Sequence, residues 1–233
     1  MTKCTLCGSK KNTQFDEHYI NNRYFDFTIC MNCSLIRCEE EFLVSQKSHI
    51  NQQRCEYTVP SIEVIEATYK PMIFELIKEF DVKARGALLD FGCGNGGIAM
   101  ASCSIFEKVY GLELDTSHFL RNNTNSMFNN FSPVETLEDL NTKVDVVVFW
   151  HVLEHISNFD EIVEYVKPHL SDNFSILAQI PLYREKHVFE SHIHFFSKTS
   201  LKFFAKKFSA KNVRILIDHT NDFATLYFEG CRN

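Results

Sequence analysis

Glycine and proline are scarce in this chain, with eight glycines and five prolines among 233 residues. So few exclude a collagen-like repeat or a Pro/Gly-rich low-complexity tract, and no internal repeat is visible. Basic residues are also in deficit, 24 against 30 acidic ones, for a net charge of −6. That balance is not the footprint of a polyanion binder. Long apolar runs are missing as well: the run from Val146 to Trp150 is far short of the roughly 20 residues a membrane helix needs. The opening Met-Thr-Lys-Cys-Thr-Leu-Cys-Gly has no apolar signal segment, so a cytoplasmic protein is expected. Disorder is excluded by what is abundant, a hydrophobic content of 45% and 22 phenylalanines. The length suffices for a full α/β core and one small extra module.

The scarce glycines are not spread evenly. Gly86, Gly92, Gly94, Gly96 and Gly97 fall within one stretch, Gly-Ala-Leu-Leu-Asp-Phe-Gly-Cys-Gly-Asn-Gly-Gly. Its apolar lead-in reads as a buried strand ending at Asp90, and Ile98-Ala-Met-Ala resumes with a helical look. Strand, glycine turn and helix in that order form the ligand-binding corner of a doubly wound α/β domain. The spacing fits two templates: Gly92-x-Gly94-x-x-Gly97 is a dinucleotide fingerprint, and Gly92-x-Gly94-x-Gly96 is typical of S-adenosylmethionine (SAM) sites. The flanking acids favour the second. Asp90 suits a cationic or hydroxylated ligand rather than a pyrophosphate. Glu113 closes the next strand 17 positions after Gly96, where an acid commonly takes the ribose hydroxyls of an adenosine. Asp90, Gly92, Gly94, Gly96, Glu113 and its neighbour Leu114 are therefore candidate cofactor residues. Trp150 and His151, where the fourth strand ends at the carboxyl edge of the sheet, join that set.

The first 45 residues carry Cys4-x-x-Cys7 and Cys30-x-x-Cys33, two knuckles separated by 22 residues. Each offers two thiolates on a tight turn, and two such turns complete a tetrahedral four-sulfur shell suited to structural Zn²⁺. Zinc contributes about 10–16 kcal/mol in small fingers, which a module of this size needs. Cys38 follows too late to fit the second knuckle and reads as a spare thiol. The expected organisation is a zinc module over 1–45, a linker and capping helix over 46–82, and the catalytic α/β domain over 83–233. The linker is polar to Pro60, and a helix follows from Ile62 to Phe80. Tyr57 and Tyr69 read as packing residues. Further helices are expected over about 116–128, 160–166 and 201–208. The later strands are expected at Val144–Trp150, Phe174–Ile180, Val213–Ile217 and Ala224–Phe228, the last two as an edge hairpin.

Six of ten histidines lie between residues 151 and 194. His151-Val-Leu-Glu154-His155 also matches the His-x-x-Glu-His of inverzincin metalloproteases. That alternative needs a long helix and leaves the glycine corner unemployed. The aromatic segment Tyr183 to Ser197, with His187, His192 and His194, is long enough to read as a functional loop. Methyl transfer from a sulfonium needs alignment of the acceptor and a base for its proton, a role that histidine suits at neutral pH.

The strings 88–96, 151–156 and 191–197 together resemble class I SAM-dependent methyltransferases. With the cysteine knuckles ahead of them, the chain resembles the zinc-containing sugar methyltransferases, which act on nucleotide-linked sugars for antibiotics and surface polysaccharides. The resemblance implies a Rossmann-like doubly wound sheet with a small N-terminal zinc-binding module. It also places the family's catalytic histidine, from a Tyr-x-Glu-His-x-x-Tyr-Phe-Ser string, on His192, and the family's histidine after the fourth strand on His155. Ser191 stands where that family has Glu, Phe189 where it has Tyr, and its additional C-terminal domain has no counterpart here. These departures favour oxygen over carbon methylation, since an oxygen acceptor needs only a base. The implied acceptor is a sugar or similar small polar metabolite, with no membrane partner and nucleic acid disfavoured. Two rivals are an RNA methyltransferase gripping a stem-loop with its zinc module, and a non-catalytic zinc-knuckle protein. Acidity, with only Lys3, Lys10, Lys11, Arg23 and Arg37 near the knuckles, opposes the first. The intact Asp90 and Glu113 oppose the second.

Overall fold

A computed structural model describes residues 3–20, 23–38, 57–83, 86–122 and 124–232. Most of the expected linker, residues 46–56, lies outside the described residues. By contact the chain divides into two compact units that interleave along the sequence. One comprises Met1–Arg54, His151–Glu164 and Ala178–Leu226; the other comprises Cys55–Trp150, Tyr165–Leu177 and Tyr227–Asn233.

The chain builds two sheets. Strands β1 (Asn12–Ile20), β2 (Arg23–Cys30), β3 (Ile36–Cys38) and β9 (His194–Phe195) form a four-stranded sheet in that order, antiparallel throughout. In β2 the side chains alternate, Phe25 and Phe27 buried and Tyr24 exposed, the period-two pattern of a one-faced sheet. Val188, Cys38 and Phe195 complete that small core. Part of the expected histidine loop is thus a strand, because Phe195 is apolar enough to close this core.

The larger sheet has seven strands in the order β10, β11, β8, β7, β4, β5, β6. These are β4 (Ala87–Phe91), β5 (Lys108–Leu112), β6 (Phe131–Val134), β7 (Val144–Trp150), β8 (Leu170–Pro181), β10 (Lys211–Asp218) and β11 (Phe223–Cys231). β4 pairs in parallel with both β5 and β7, Leu88 lying opposite Val109 and Val146. Valines dominate β7 because a central parallel strand is covered on both faces. From β4 the chain runs outward through β5 and β6, then returns to β7 on the other side of β4. The order reverses between β4 and β7, and at such a reversal open α/β sheets bind ligands.

The helix expected over 62–80 is present but irregular: Ile62–Val64, a π-helical turn Ile65–Tyr69, then Lys70–Phe80. Pro71 cannot donate to the turn before it, and the wider π turn absorbs the missing bond. Ile65, Ile73, Ile77 and Phe80 carry this element into the core. The helix expected over 116–128 is two short pieces, Ser117–Arg121 and Thr124–Met127. Asn122 interrupts it by donating its amide to the His118 carbonyl at 2.7 Å, competing with the helical ladder. Helices Phe159–Val166 and Lys198–Lys207 lie close to expectation, and the late strands β10 and β11 stand at one edge of the sheet. Leu153–His155 is a single 3-10 turn, so the long helix that an inverzincin motif requires is not formed.

Candidate active site

The glycine corner is assembled by backbone. Gly92, Gly94 and Gly96 all hold positive φ, which makes the turn that follows β4. A Cβ on Gly97 would stand 2.4 Å from the Tyr69 ring, so the helix Gly97–Ser102 can approach the π turn only as glycine. The Gly94 peptide is gripped from both ends. Its N–H donates to Glu113 Oε2, and its carbonyl oxygen accepts from His118 Nε2, each at 2.9 Å. His118, buried against Phe119, is a member of the corner that sequence reasoning missed. Tyr57 borders the same loop beside Gly94 and His118.

Asp90 ends 1% exposed at the head of that turn. Its Oδ1 has no hydrogen-bond partner among the described residues. Burial, with the nearby Glu113 charge adding to it, pushes its carboxyl up to about 7. An orphaned carboxylate oxygen this deep is a place for a cationic or hydroxyl-bearing ligand, which fits the amino-acid end of SAM. Glu113 accepts from Gly94 and from the Leu114 N–H, and each of its oxygens keeps a lone pair for a hydroxyl donor. Leu114 is 75% exposed. Trp150, at the end of β7, packs half-buried on the core of the same unit.

In the other unit the four knuckle cysteines come together. Sγ atoms of Cys4 and Cys33 lie 3.6 Å apart, as do those of Cys7 and Cys30, and all four are within 4.8 Å of one another. Sulfurs around a tetrahedral zinc with about 2.3 Å bonds stand about 3.8 Å apart, whereas a disulfide would need about 2 Å. The donor set fits a tetrahedral metal shell. A hydrogen bond from Cys33 lowers the Cys4 thiol to about 5. Cys38 lies buried in β3, apart from the cluster.

The histidines sort by their partners. His194 is fully buried, bonded through Nε2 to Thr5 at 3.0 Å, and burial lowers it to about 3; it braces the cysteine-rich sheet. His187 stacks on Phe223, with Nδ1 bonded to the Leu182 carbonyl. His151 holds positive φ at the end of β7, donates its backbone N–H to Gln179, and turns Nδ1 to within 3.4 Å of Glu154 Oε1. His155 and His192 meet, ring centroids 4.9 Å apart. The backbone bond from Ile193 to the Glu154 carbonyl ties their two segments together. Each ring spends Nδ1 on a carbonyl, His155 on Ser191 at 2.7 Å and His192 on His187 at 2.8 Å. A carbonyl only accepts, so both Nδ1 atoms carry hydrogen. Burial lowers His192 below the usual imidazole value, leaving Nε2 with a lone pair.

The strand order and the glycine turn after β4 define a class I SAM-dependent methyltransferase fold. A family model described as "Methyltransferase domain" matches residues 67–215, and the chain belongs to that family. Among solved structures, a SAM-dependent methyltransferase from Aquifex aeolicus is 14% identical, covering 78% of this chain and 97% of that one with a TM-score of 0.57. The N-methyltransferase NodS from Bradyrhizobium japonicum, in complex with S-adenosyl-L-homocysteine, is 10% identical over 79% and 97%, with a TM-score of 0.56. No curated protein matches the chain. Among the described residues no helix is long and apolar enough to cross a membrane.

Proposed function

We propose that this protein is a SAM-dependent methyltransferase of the cytoplasm that methylates an oxygen of a small polar acceptor, a sugar or nucleotide-linked sugar of surface-polysaccharide biosynthesis. Bound SAM supplies the methyl group as an activated sulfonium. Asp90 and the turn at Gly92, Gly94 and Gly96 receive its amino-acid part, and Glu113 takes the ribose hydroxyls. Leu114, Trp150 and His151 complete that side. Cys4, Cys7, Cys30 and Cys33 hold a structural zinc.

The observation that carries the cofactor reading is the buried Asp90 oxygen without a donor. A carboxylate left so costs stability unless a ligand supplies the missing partner. On the acceptor side, His192 is the activating residue, with His155 assisting. Their fixed Nδ1–H bonds aim unshared pairs where an acceptor proton can be drawn off. The negative net charge and the cysteine-module resemblance support a sugar acceptor over RNA.

Radiolabelled SAM offered with a panel of nucleotide sugars and structured RNAs tests this reading. Label is expected on a nucleotide sugar. Transfer to RNA alone overturns the acceptor class, and calorimetry with NAD bound in preference to SAM overturns the cofactor.

A further inference from the structure

Glu154 stands out beside the two histidines. It is 0% exposed, and neither carboxylate oxygen accepts a hydrogen bond among the described residues. One oxygen of Glu154 and one nitrogen each of His155 and His192 lie within 4.8 Å of one another. Because Nδ1 of both rings is committed to a backbone carbonyl, Nε2 is the nitrogen each can offer. Three electron-rich atoms therefore converge, and His151 Nδ1, 3.4 Å from Glu154 Oε1, makes no hydrogen bond to it. Such an arrangement repels itself unless a cation sits at its centre.

We propose that Glu154, His155 and His192 bind a divalent first-row transition-metal ion. Several features point to a metal rather than to three independent side chains. Two imidazoles and one carboxylate are a donor set for Zn²⁺, Fe²⁺, Mn²⁺ or Co²⁺, unlike the four-sulfur set of the cysteine cluster. Anchoring of the far ring nitrogen by a carbonyl is the usual outer-shell arrangement of a metal-ligating histidine, since it fixes both tautomer and ring direction. Three protein ligands leave coordination positions open, the pattern of a site that takes a substrate oxygen rather than of a structural one. His155 and His192 are only half-buried, which leaves such a ligand an approach.

The inference deepens the proposed function and rests on it for the acceptor alone. With their Nε2 pairs on the ion, the two histidines act on the acceptor through it and no longer take its proton themselves. An acceptor hydroxyl bound to the ion releases its proton to solvent more readily, as metal-bound water does.

The test uses full-length protein with its cysteine cluster filled by zinc. Mn²⁺ is titrated by following loss of the free-ion paramagnetic resonance signal, and Co²⁺ by its visible absorption. One Mn²⁺ or Co²⁺ per chain is expected beyond the zinc, with affinity falling at least tenfold in His192→Ala and in His155→Ala. Both substitutions are at half-buried positions, and retained zinc content with an unchanged circular dichroism spectrum verifies folding. Glu154→Gln, similar in shape and without charge, should give the same loss. The inference is overturned if the folded native protein takes up no second ion, or if it binds one as tightly in all three variants. SAM calorimetry on the same samples separates the two readings. SAM binding without a second ion removes only the ion, and a second ion without SAM binding removes only the methyltransferase assignment.

Discussion

The glycine corner and the cysteine–histidine unit build their sites in opposite ways. In the corner, residues 90–97 and 113 lie close in sequence, and most groups on offer are backbone groups or carboxylates tied to backbone. Glu113 and His118 both hold one peptide there, that of Gly94. In the other unit the polar groups are side chains, soft sulfurs and imidazoles, drawn from segments far apart in the chain. Cys7 meets Cys30 and His155 meets Ser191 and His192 only because the chain returns to them. A backbone-built site tolerates change at most neighbours and fails at a glycine. A side-chain-built site fails when any one donor is removed. The contrast predicts where a substitution acts on stability and where on function.

The largest expected effect is on the cysteine side. Cys30→Ser should lose the proposed zinc and with it about 10 kcal/mol of binding free energy, enough to unfold the segment it would hold. Zinc analysis, with hydrogen exchange over residues 12–38, reads this, and an exchange pattern like that of the native protein would show that the cysteines do not hold this unit. Next comes chemistry. His192→Ala should lower turnover by about 10²–10⁴-fold while SAM affinity stays near native, because the residue acts on the acceptor. Equal losses in both would erase the difference between the two regions.

A smaller effect belongs to the corner. Glu113→Ala should weaken SAM binding by about 1–3 kcal/mol, measured by calorimetry, through lost charge-assisted hydrogen bonds. The same substitution frees the Gly94 N–H, so a loss beyond that range points to the loop rather than to the ligand. The smallest effect is a pH slope. Asp90 is pushed up to about 7 in the ligand-free protein, mainly by burial. Below its unfolded value of roughly 4 the group is protonated folded or unfolded and contributes nothing. As pH rises toward 7 the buried site resists ionisation, so the ligand-free protein loses stability across that window. A cationic ligand favours the charged carboxylate, and SAM affinity should therefore rise about tenfold between pH 6 and pH 8. Asp90→Asn should flatten that rise, and an unchanged slope in the variant would assign it to another group.

The corner was legible in the sequence because its signal is local. Scarce glycines gathered beside Asp90, and an acid followed at the end of the next strand. The cysteine knuckles were legible for the same reason. Glu154 was not, since its place in His-Val-Leu-Glu-His gives no sign that both its oxygens are buried without donors. His118 was hidden inside what reads as an ordinary helix. The break of that helix at Asn122 and the π turn before Pro71 follow from single side-chain and backbone bonds that periodicity averages away. The pairing of His194 and Phe195 with β3 was beyond reach, because a two-residue strand has no period.

That pairing has a kinetic consequence. Thr5 and His194, joined by a hydrogen bond, are 189 residues apart in sequence. The four-stranded sheet therefore keeps β3 as an open edge until His194 and Phe195 have been made. At about 5–20 residues per second the wait is roughly 8–30 s. Through that interval the proposed zinc would hold the early strands, and an unpaired edge is a template for wrong partners. Zinc-starved synthesis should send this protein into aggregates before its sheet can close, even at temperatures where the finished molecule is stable.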